Sequence, residues 1–303
     1  MEKTEVTIVI ILCILFVNCF LPFGINAVSA QTPSPLQYPE NWCLNFDGLN
    51  DWVAVEASSL FQLDTLTLEA WIRPKLTIMP GSDGDYGHTN GSIICRRPEV
   101  LTSGFWFAFA YSQGCLEFVF RSGSYNYSHH TDRSIWYNTT CYHIAVTYNR
   151  TLPRDNLKFY VNGTLDSIHN IADPITYADN QVWIGGMMRG NAFGGTIDEV
   201  RMWNVSRTQQ QIQTTMPRIL NETETADPNL IAYWRFDEGS GGIAQDSSIY
   251  GNPAILIGAP ATPTWTQQCC PIIPELPFTL LEMIVLVVVS SGTVLLSHRK
   301  LKN

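Results

Sequence analysis

Short runs of β-branched and aromatic residues recur along the middle of the chain, separated by Gly, Asn, Asp and Pro: CLNF, WVAVE, LTLEAWI, SIICR, FWFAFAY, CLEFVF, HIAVTY, LKFYV, VWIGG, TIDEVRMW, LIAYWRF and AILIG. Runs of this length with turn residues between them predict the antiparallel strands of an all-β sandwich or jelly roll. In LKFYVNGTLDSI, Asn162-Gly163 sits between two alternating runs, the pair suited to a two-residue hairpin turn with positive φ at both positions. Two polar stretches, DGDYGHTN at 83–90 and GSYNYSHHTD at 123–132, are predicted as long loops. A single short helix is predicted after Thr208, where Thr208 and Gln211 can form a capping box and Pro217 ends it. Helices do not alternate with strands, which argues against a parallel sheet.

The two ends have a different pattern. Residues 8–25 are an apolar run behind Lys3, and a small-residue site, AVSA, follows at 27–30. This is the plan of a secretory signal cleaved after Ala30, with an uncleaved membrane anchor as the alternative. Residues 278–297 are long and apolar enough for a transmembrane helix, and His298, Arg299, Lys300 and Lys302 after it keep the C-terminus cytoplasmic. The chain therefore divides into a signal peptide at 1–30, a Pro-rich spacer at 31–41, a domain at 42–266, a linker at 267–277, the span at 278–297 and a basic tail at 298–303. The expected location is the cell surface, as a single-pass membrane protein with its N-terminal domain outside. A formal net charge of −9 excludes a nucleic-acid partner, which would need a basic surface. Seven sequons, at Asn90, Asn126, Asn138, Asn149, Asn162, Asn204 and Asn221, fit a glycosylated exterior.

Within the predicted strands some residues invite chemistry. In FWFAFAY, Phe105, Phe107, Phe109 and Tyr111 alternate onto one face, expected to be core. Trp106, Ala108 and Ala110 share the other, where Trp106 can serve as a stacking platform for a sugar, edged by Tyr125, Tyr127 and His129, or lie covered by a loop. No Gly-x-Ser-x-Gly elbow, His-Glu-x-x-His pair or glycine-rich phosphate loop is present, and His129-His130 is too little for a metal site, so no enzyme is expected. Period-two alternation in TIDEVRMW turns Asp198 inward with Val200 and Met202, and Arg201 to the opposite face. Once a signal carrying Cys13 and Cys19 is removed, Cys43, Cys95, Cys115, Cys141, Cys269 and Cys270 remain, an even number in an oxidising compartment. At least two disulfides are expected among the fifteen possible pairings, and adjacent Cys269 and Cys270 could alternatively link two chains.

Taken together, LNFDGLNDWVAVEASSLFQLDTLTLEAWIRP at 44–74, CYHIAVTYN at 141–149, LKFYVNG at 157–163, GTIDEVRMWNVSRTQQQI at 195–212 and the LIAYWRFDEGS segment from Leu230 resemble the LamG-like jelly roll of the concanavalin A-like lectin/glucanase superfamily. The resemblance implies a sandwich of two antiparallel sheets. Its first and last strands would lie side by side, bringing Cys43 near Cys269-Cys270. Enzymatic relatives carry an E-x-D-x-x-E strand that supplies two carboxyls to one substrate. That motif is absent, and Cys141 stands where relatives have Trp. Similar domains hold a structural Ca²⁺, which the resemblance assigns to Asp198 and Asp47 of the Phe46-Asp47-Gly48 turn. The alternative is that Asp198 accepts backbone N–H groups of that turn, since an unpaired inward carboxylate costs several kcal/mol. PELPFTLLEMIVLVVVSSGTVLLSHRK resembles archaeal PEF-type C-terminal sorting signals. The expected function is a membrane-anchored binding module that recognises carbohydrate or mediates adhesion, with a protein-binding surface domain as the alternative.

Overall fold

A computed structural model describes residues 41–75, 90–98, 102–111, 113–133, 136–138, 140–186, 191–258 and 262–270. The alternating runs form two eight-stranded antiparallel sheets. The first is ordered β10 (Thr164–His169), β9 (Leu157–Val161), β8 (Tyr142–Asn149), β3 (Thr65–Pro74), β12 (Gly194–Trp203), β1 (Cys43–Asp47) and β16 (Thr264–Thr266), with β13 (Leu230–Trp234) pairing with the second half of β12. The second is ordered β14 (Ile243–Ala244), β15 (Ala254–Gly258), β2 (Asp51–Val55), β11 (Val182–Ile184), β4 (Asn90–Arg96), β5 (Phe105–Ala110), β6 (Cys115–Ser122) and β7 (Tyr125–His130). This is the jelly-roll sandwich implied by the resemblance.

Alternation builds the core. Leu66, Leu68, Ala70 and Ile72 of β3 join Phe105, Phe107 and Phe109 of β5 and Phe118 and Phe120 of β6 in one buried cluster. Asn162 and Gly163 turn from β9 into β10 with φ of 50° and 69°, as the Asn-Gly pair requires. Helix α1 (Gln209–Thr215) starts on Thr208 with both bonds of the capping box formed. A second capping box, Asn221 with Glu224, opens the short helix α2 (Glu222–Thr225). Gly185 has a φ of 80°, and a Cβ there would meet Phe46 Cε1 at 2.0 Å, so this crossing of the two sheets needs glycine.

The stretch 123–132 is not a loop. β6 turns at Gly123, φ 54°, and returns as β7, paired from Ser122↔Tyr125 to Glu117↔His130. It is polar because it is the edge strand of its sheet.

Two disulfides form, Cys43–Cys269 and Cys141–Cys270, with Cα separations of 5.6 and 5.5 Å. Their placement follows from β1 pairing with β16, the first strand beside the last. Cys269 and Cys270 are thus used within one chain rather than between two, while Cys95 and Cys115 are buried free thiols. Of the sequons, Asn126, Asn138 and Asn162 are exposed, Asn149, Asn204 and Asn221 are half-buried, and Asn90 begins β4.

The predicted signal peptide with Cys13 and Cys19, the spacer up to residue 40, the loop at 83–89, the PEF-like segment from 274, the span at 278–297 and the tail lie outside the described residues. Among the described residues no helix is long and apolar enough to cross a membrane.

Candidate functional site

The alternation of β12 breaks at Asp198. Pairing with β3 runs Ile197↔Ile72 and Asp198↔Trp71, then resumes at Arg201↔Glu69, so Glu199 and Val200 together oppose one residue. Glu199 takes a φ of 51°, and the result is a β-bulge. Ile197, Val200 and Met202 face the core. Asp198 and Arg201 instead share the outer face of the first sheet, which corrects the expectation that Asp198 points inward and Arg201 away from it. Asp198 Oδ1 accepts the Glu199 N–H at 2.9 Å, not the N–H groups of the Asp47 turn, and its Oδ2 is buried without a partner. Burial, then the neighbouring Glu199 and Asp237, push its pKa well up, which favours the neutral carboxyl.

Asp47 and Asp198 are not brought together. Asp47 pairs with Gly194, four residues from Asp198 along β12, or about 13 Å of strand. Its Oδ1 accepts the N–H groups of Leu49 at 2.7 Å and Asn50 at 3.4 Å. Calcium ligands sit about 2.4 Å from the ion, and the register does not set these two carboxylates side by side. Among the described residues no group of three or more His, Cys, Asp or Glu side chains is placed to hold a metal.

Around the bulge lies a buried layer of charge. Glu199 Oε2 accepts from Arg201 Nη2 at 2.5 Å and from the Tyr233 hydroxyl. Arg201 also donates to the carbonyls of Thr215 at 3.0 Å and Arg218 at 2.7 Å. Arg207 Nη1 donates to Glu69 Oε1 at 2.6 Å, and His143 Nε2 lies 3.4 Å from Glu69 Oε2. Burial opposes ionisation of Glu69, but Arg207 and His143 outweigh it and bring its pKa down to about 2. These groups clasp α1 and the chain after it onto the first sheet. With Asp198 1% and Glu199 3% exposed, neither can touch a substrate.

The outer face of the second sheet is different. Cross-strand pairs align Ala54, Trp183, Cys95, Trp106, Val119 and Ser128 in one row. With Ala108 and the partly buried Trp52 and Ile257, the apolar members form a cluster separate from the main core. The small-residue floor beside Trp106 is therefore present. Trp106 is not a bare platform, however: it is 6% exposed, its Nε1 donates to Ser92 Oγ at 2.6 Å, and the Arg97 guanidinium lies 4.7 Å over its ring.

Tyr125, Tyr127 and His129 do not edge this face. They pair with Ser122, Phe120 and Phe118, on the core-facing side. Tyr127 stacks on Phe120 at 5.1 Å and its hydroxyl donates to Asp173. Burial, with His169 and His130 nearby, lowers the pKa of His129 to about 4.

The alternate residues of β7 take their place. Ser128 Oγ donates to Glu117 Oε1 at 2.6 Å and lies 3.2 Å from His130 Nε2, which is 3.3 Å from Glu117 Oε1. Ser128 and Glu117 both meet the same ring nitrogen, so this trio lacks the separate orienting contact of a catalytic triad. It does present a donor and acceptor edge. From Trp52 on β2 to His130 on β7 the face crosses five strand spacings, about 24 Å.

A family model described as Laminin_G_3, Concanavalin A-like lectin/glucanases superfamily, matches residues 46–213. No curated protein is significantly similar in sequence. Among solved structures, a Bacteroides ovatus protein described as carbohydrate binding is 20% identical with a TM-score of 0.53, over 74% of this chain and 62% of that one. The chain thus spans less than two thirds of that relative. A SAP-like pentraxin from Limulus polyphemus is 16% identical over 58% of this chain and 82% of its own, with a TM-score of 0.40. The CBM40 of the Ruminococcus gnavus IT-sialidase is 12% identical over 56% and 95%, with a TM-score of 0.42.

Proposed function

The chain belongs to the Laminin_G_3 family of the Concanavalin A-like lectin/glucanases superfamily, and from that premise we propose that it is a carbohydrate-binding module displayed at the cell surface. The observation that carries this reading is the outer face of the second sheet, where Trp52, Trp183 and Trp106 run toward the hydrogen-bonded Glu117, Ser128 and His130. Trp52, half-buried, offers an indole to the apolar face of a sugar ring. At the other end Glu117 and Ser128 offer acceptor lone pairs and the His130 ring a further nitrogen, groups that sugar hydroxyls can meet. Trp106 and Trp183 support the floor, and Trp106 carries the Arg97 guanidinium over its ring, rather than meeting ligand themselves. A face about 24 Å long suits an oligosaccharide laid across the strands better than a single sugar.

Binding rather than cleavage is supported by the burial of Asp198 and Glu199, which leaves that pair no route to a glycosidic bond. Two disulfides are at home in an oxidising exterior. With the signal-like N-terminus, the apolar C-terminal run and the sequons, they support surface display on a membrane anchor.

A glycan array probed with the soluble ectodomain tests the proposal. Selected oligosaccharides should bind, and none should be hydrolysed on prolonged incubation. The adhesive alternative draws on Ile243 and Ile255, cross-strand neighbours that are 50% and 46% exposed. A silent array, with Ile255→Lys abolishing cell attachment, would favour that alternative.

A further inference from the structure

The polar side of β7 carries a modification motif as well as the hydrogen-bonded trio. Asn126-Tyr127-Ser128 is a sequon, and its third residue is the same Ser128 whose hydroxyl donates to Glu117 Oε1 at 2.6 Å. Asn126 pairs with Arg121 and Ser128 with Val119, so by alternation Asn126, Ser128 and His130 stand on the outer face of the second sheet. Two residues separate the asparagine from the serine, about 7 Å of strand.

Local bonding leaves Asn126 open to modification. Its side chain is exposed, and Oδ1 accepts from Arg121 Nη1 at 3.0 Å. Arg121 is itself held across the turn between β6 and β7, where its Nε donates to the Gly123 carbonyl at 2.9 Å. A guanidinium only donates, so the carboxamide turns its oxygen toward Arg121. Nδ2, the atom to which an N-linked sugar is joined, is left with no partner among the described residues. Asn221, by contrast, is half-buried and holds the start of α2 through its Oδ1.

We propose that Asn126 is an N-glycosylation site whose glycan covers the Ser128 end of the second sheet's outer face and competes there with oligosaccharides from outside. This control presupposes that the face is a carbohydrate site, as proposed above. The sugar donor is a lipid-phosphate-linked oligosaccharide. Nδ2 attacks its C1, the C1–N bond forms as the C1–O bond to phosphate breaks, and Nδ2 gives up one proton to solvent. A sugar tethered this close is present at about millimolar effective concentration, so even weak affinity keeps it on the face. Occupancy of one asparagine then sets whether the domain is open to partners.

The test uses the full chain isolated from the cells that make it. Mass spectrometry of the tryptic peptide Ser122–Arg133 should find a glycan on Asn126. Array-selected oligosaccharides should bind Asn126→Gln about tenfold more tightly than the glycosylated parent. Thr164→Ala, which removes the exposed Asn162 sequon on the first sheet, should leave affinity unchanged. The unsubstituted chain from a host without a glycosyl transferase of this kind should match Asn126→Gln, and it serves alone if that variant does not fold. An unmodified Asn126 overturns the proposal, and so does equal affinity with and without its glycan, an outcome that leaves the carbohydrate face standing. If no form of the chain binds any glycan, the reading of the face falls and this control with it.

Discussion

Asp51 illustrates how a single side chain sets a pH dependence. Both of its carboxylate oxygens accept the Asp47 N–H, at 3.3 and 3.1 Å, yet burial dominates and raises its pKa from 3.8 to about 7. Its folded value lies above its unfolded one, so its contribution to stability is complete below pH 3.8 and is lost as the pH rises through about 7. Asp51→Asn should therefore melt about 5 °C higher than the parent above pH 7, with the gap narrowing through mild acid and closing only below pH 3.8. Parallel melting curves across the parent's whole pH range would contradict the burial argument. His143 works in the opposite sense: burial holds its pKa below 6.5, so what it contributes is lost as the pH falls below that value. Arg201 is a purely structural case. Arg201→Ala leaves Glu199 buried without its cation and should cost about 3–5 kcal/mol in urea unfolding. A loss near zero would mean that the charge layer does not clasp the sheet.

At the scale of elements, what the sequence made legible depended on whether local chemistry or pairing decided the outcome. The Asn162-Gly163 turn and the Thr208 cap could be read because their bonds lie within a few residues. The bulge at Glu199 was legible in principle: Ile197 and Val200 are three apart where Val200 and Met202 are two apart, and that break in period marks the extra residue. β7 was missed because a polar edge strand lacks the apolar alternation that announces a strand. With it went the correct face, since Ser128 and His130, rather than Tyr127 and His129, lie beside Val119 and Glu117. The disulfides could be expected in number, and the resemblance brought Cys43 near Cys269-Cys270, but the partner of Cys141 could not be read. They span sequence separations of 226 and 129 residues, and both tie the end of the described chain to the first sheet. Replacing Cys141 and Cys270 by Ser should lower stability by about 2–5 kcal/mol, read as a shift in the urea midpoint. An unchanged midpoint would show that the crosslink adds nothing to the folded domain.

For the whole molecule, alternating runs and their order were enough to foresee two antiparallel sheets, because a jelly roll is built from patterns that every strand repeats. The site was harder to foresee, because a face is defined by register across six strands and no single run contains it. The fold places the layer of Glu69, Glu199, Arg201 and Arg207 on the outer face of one sheet, under α1, and its tryptophan row on the outer face of the other. The first location suits stability, and the second suits recognition. Calorimetric titration of an array-selected oligosaccharide into the parent, Trp52→Ala and His130→Ala tests this assignment most directly. Each substitution should weaken binding about 5- to 30-fold, with melting temperatures retained. Unaltered affinity in both variants would remove the second sheet's outer face as the binding site.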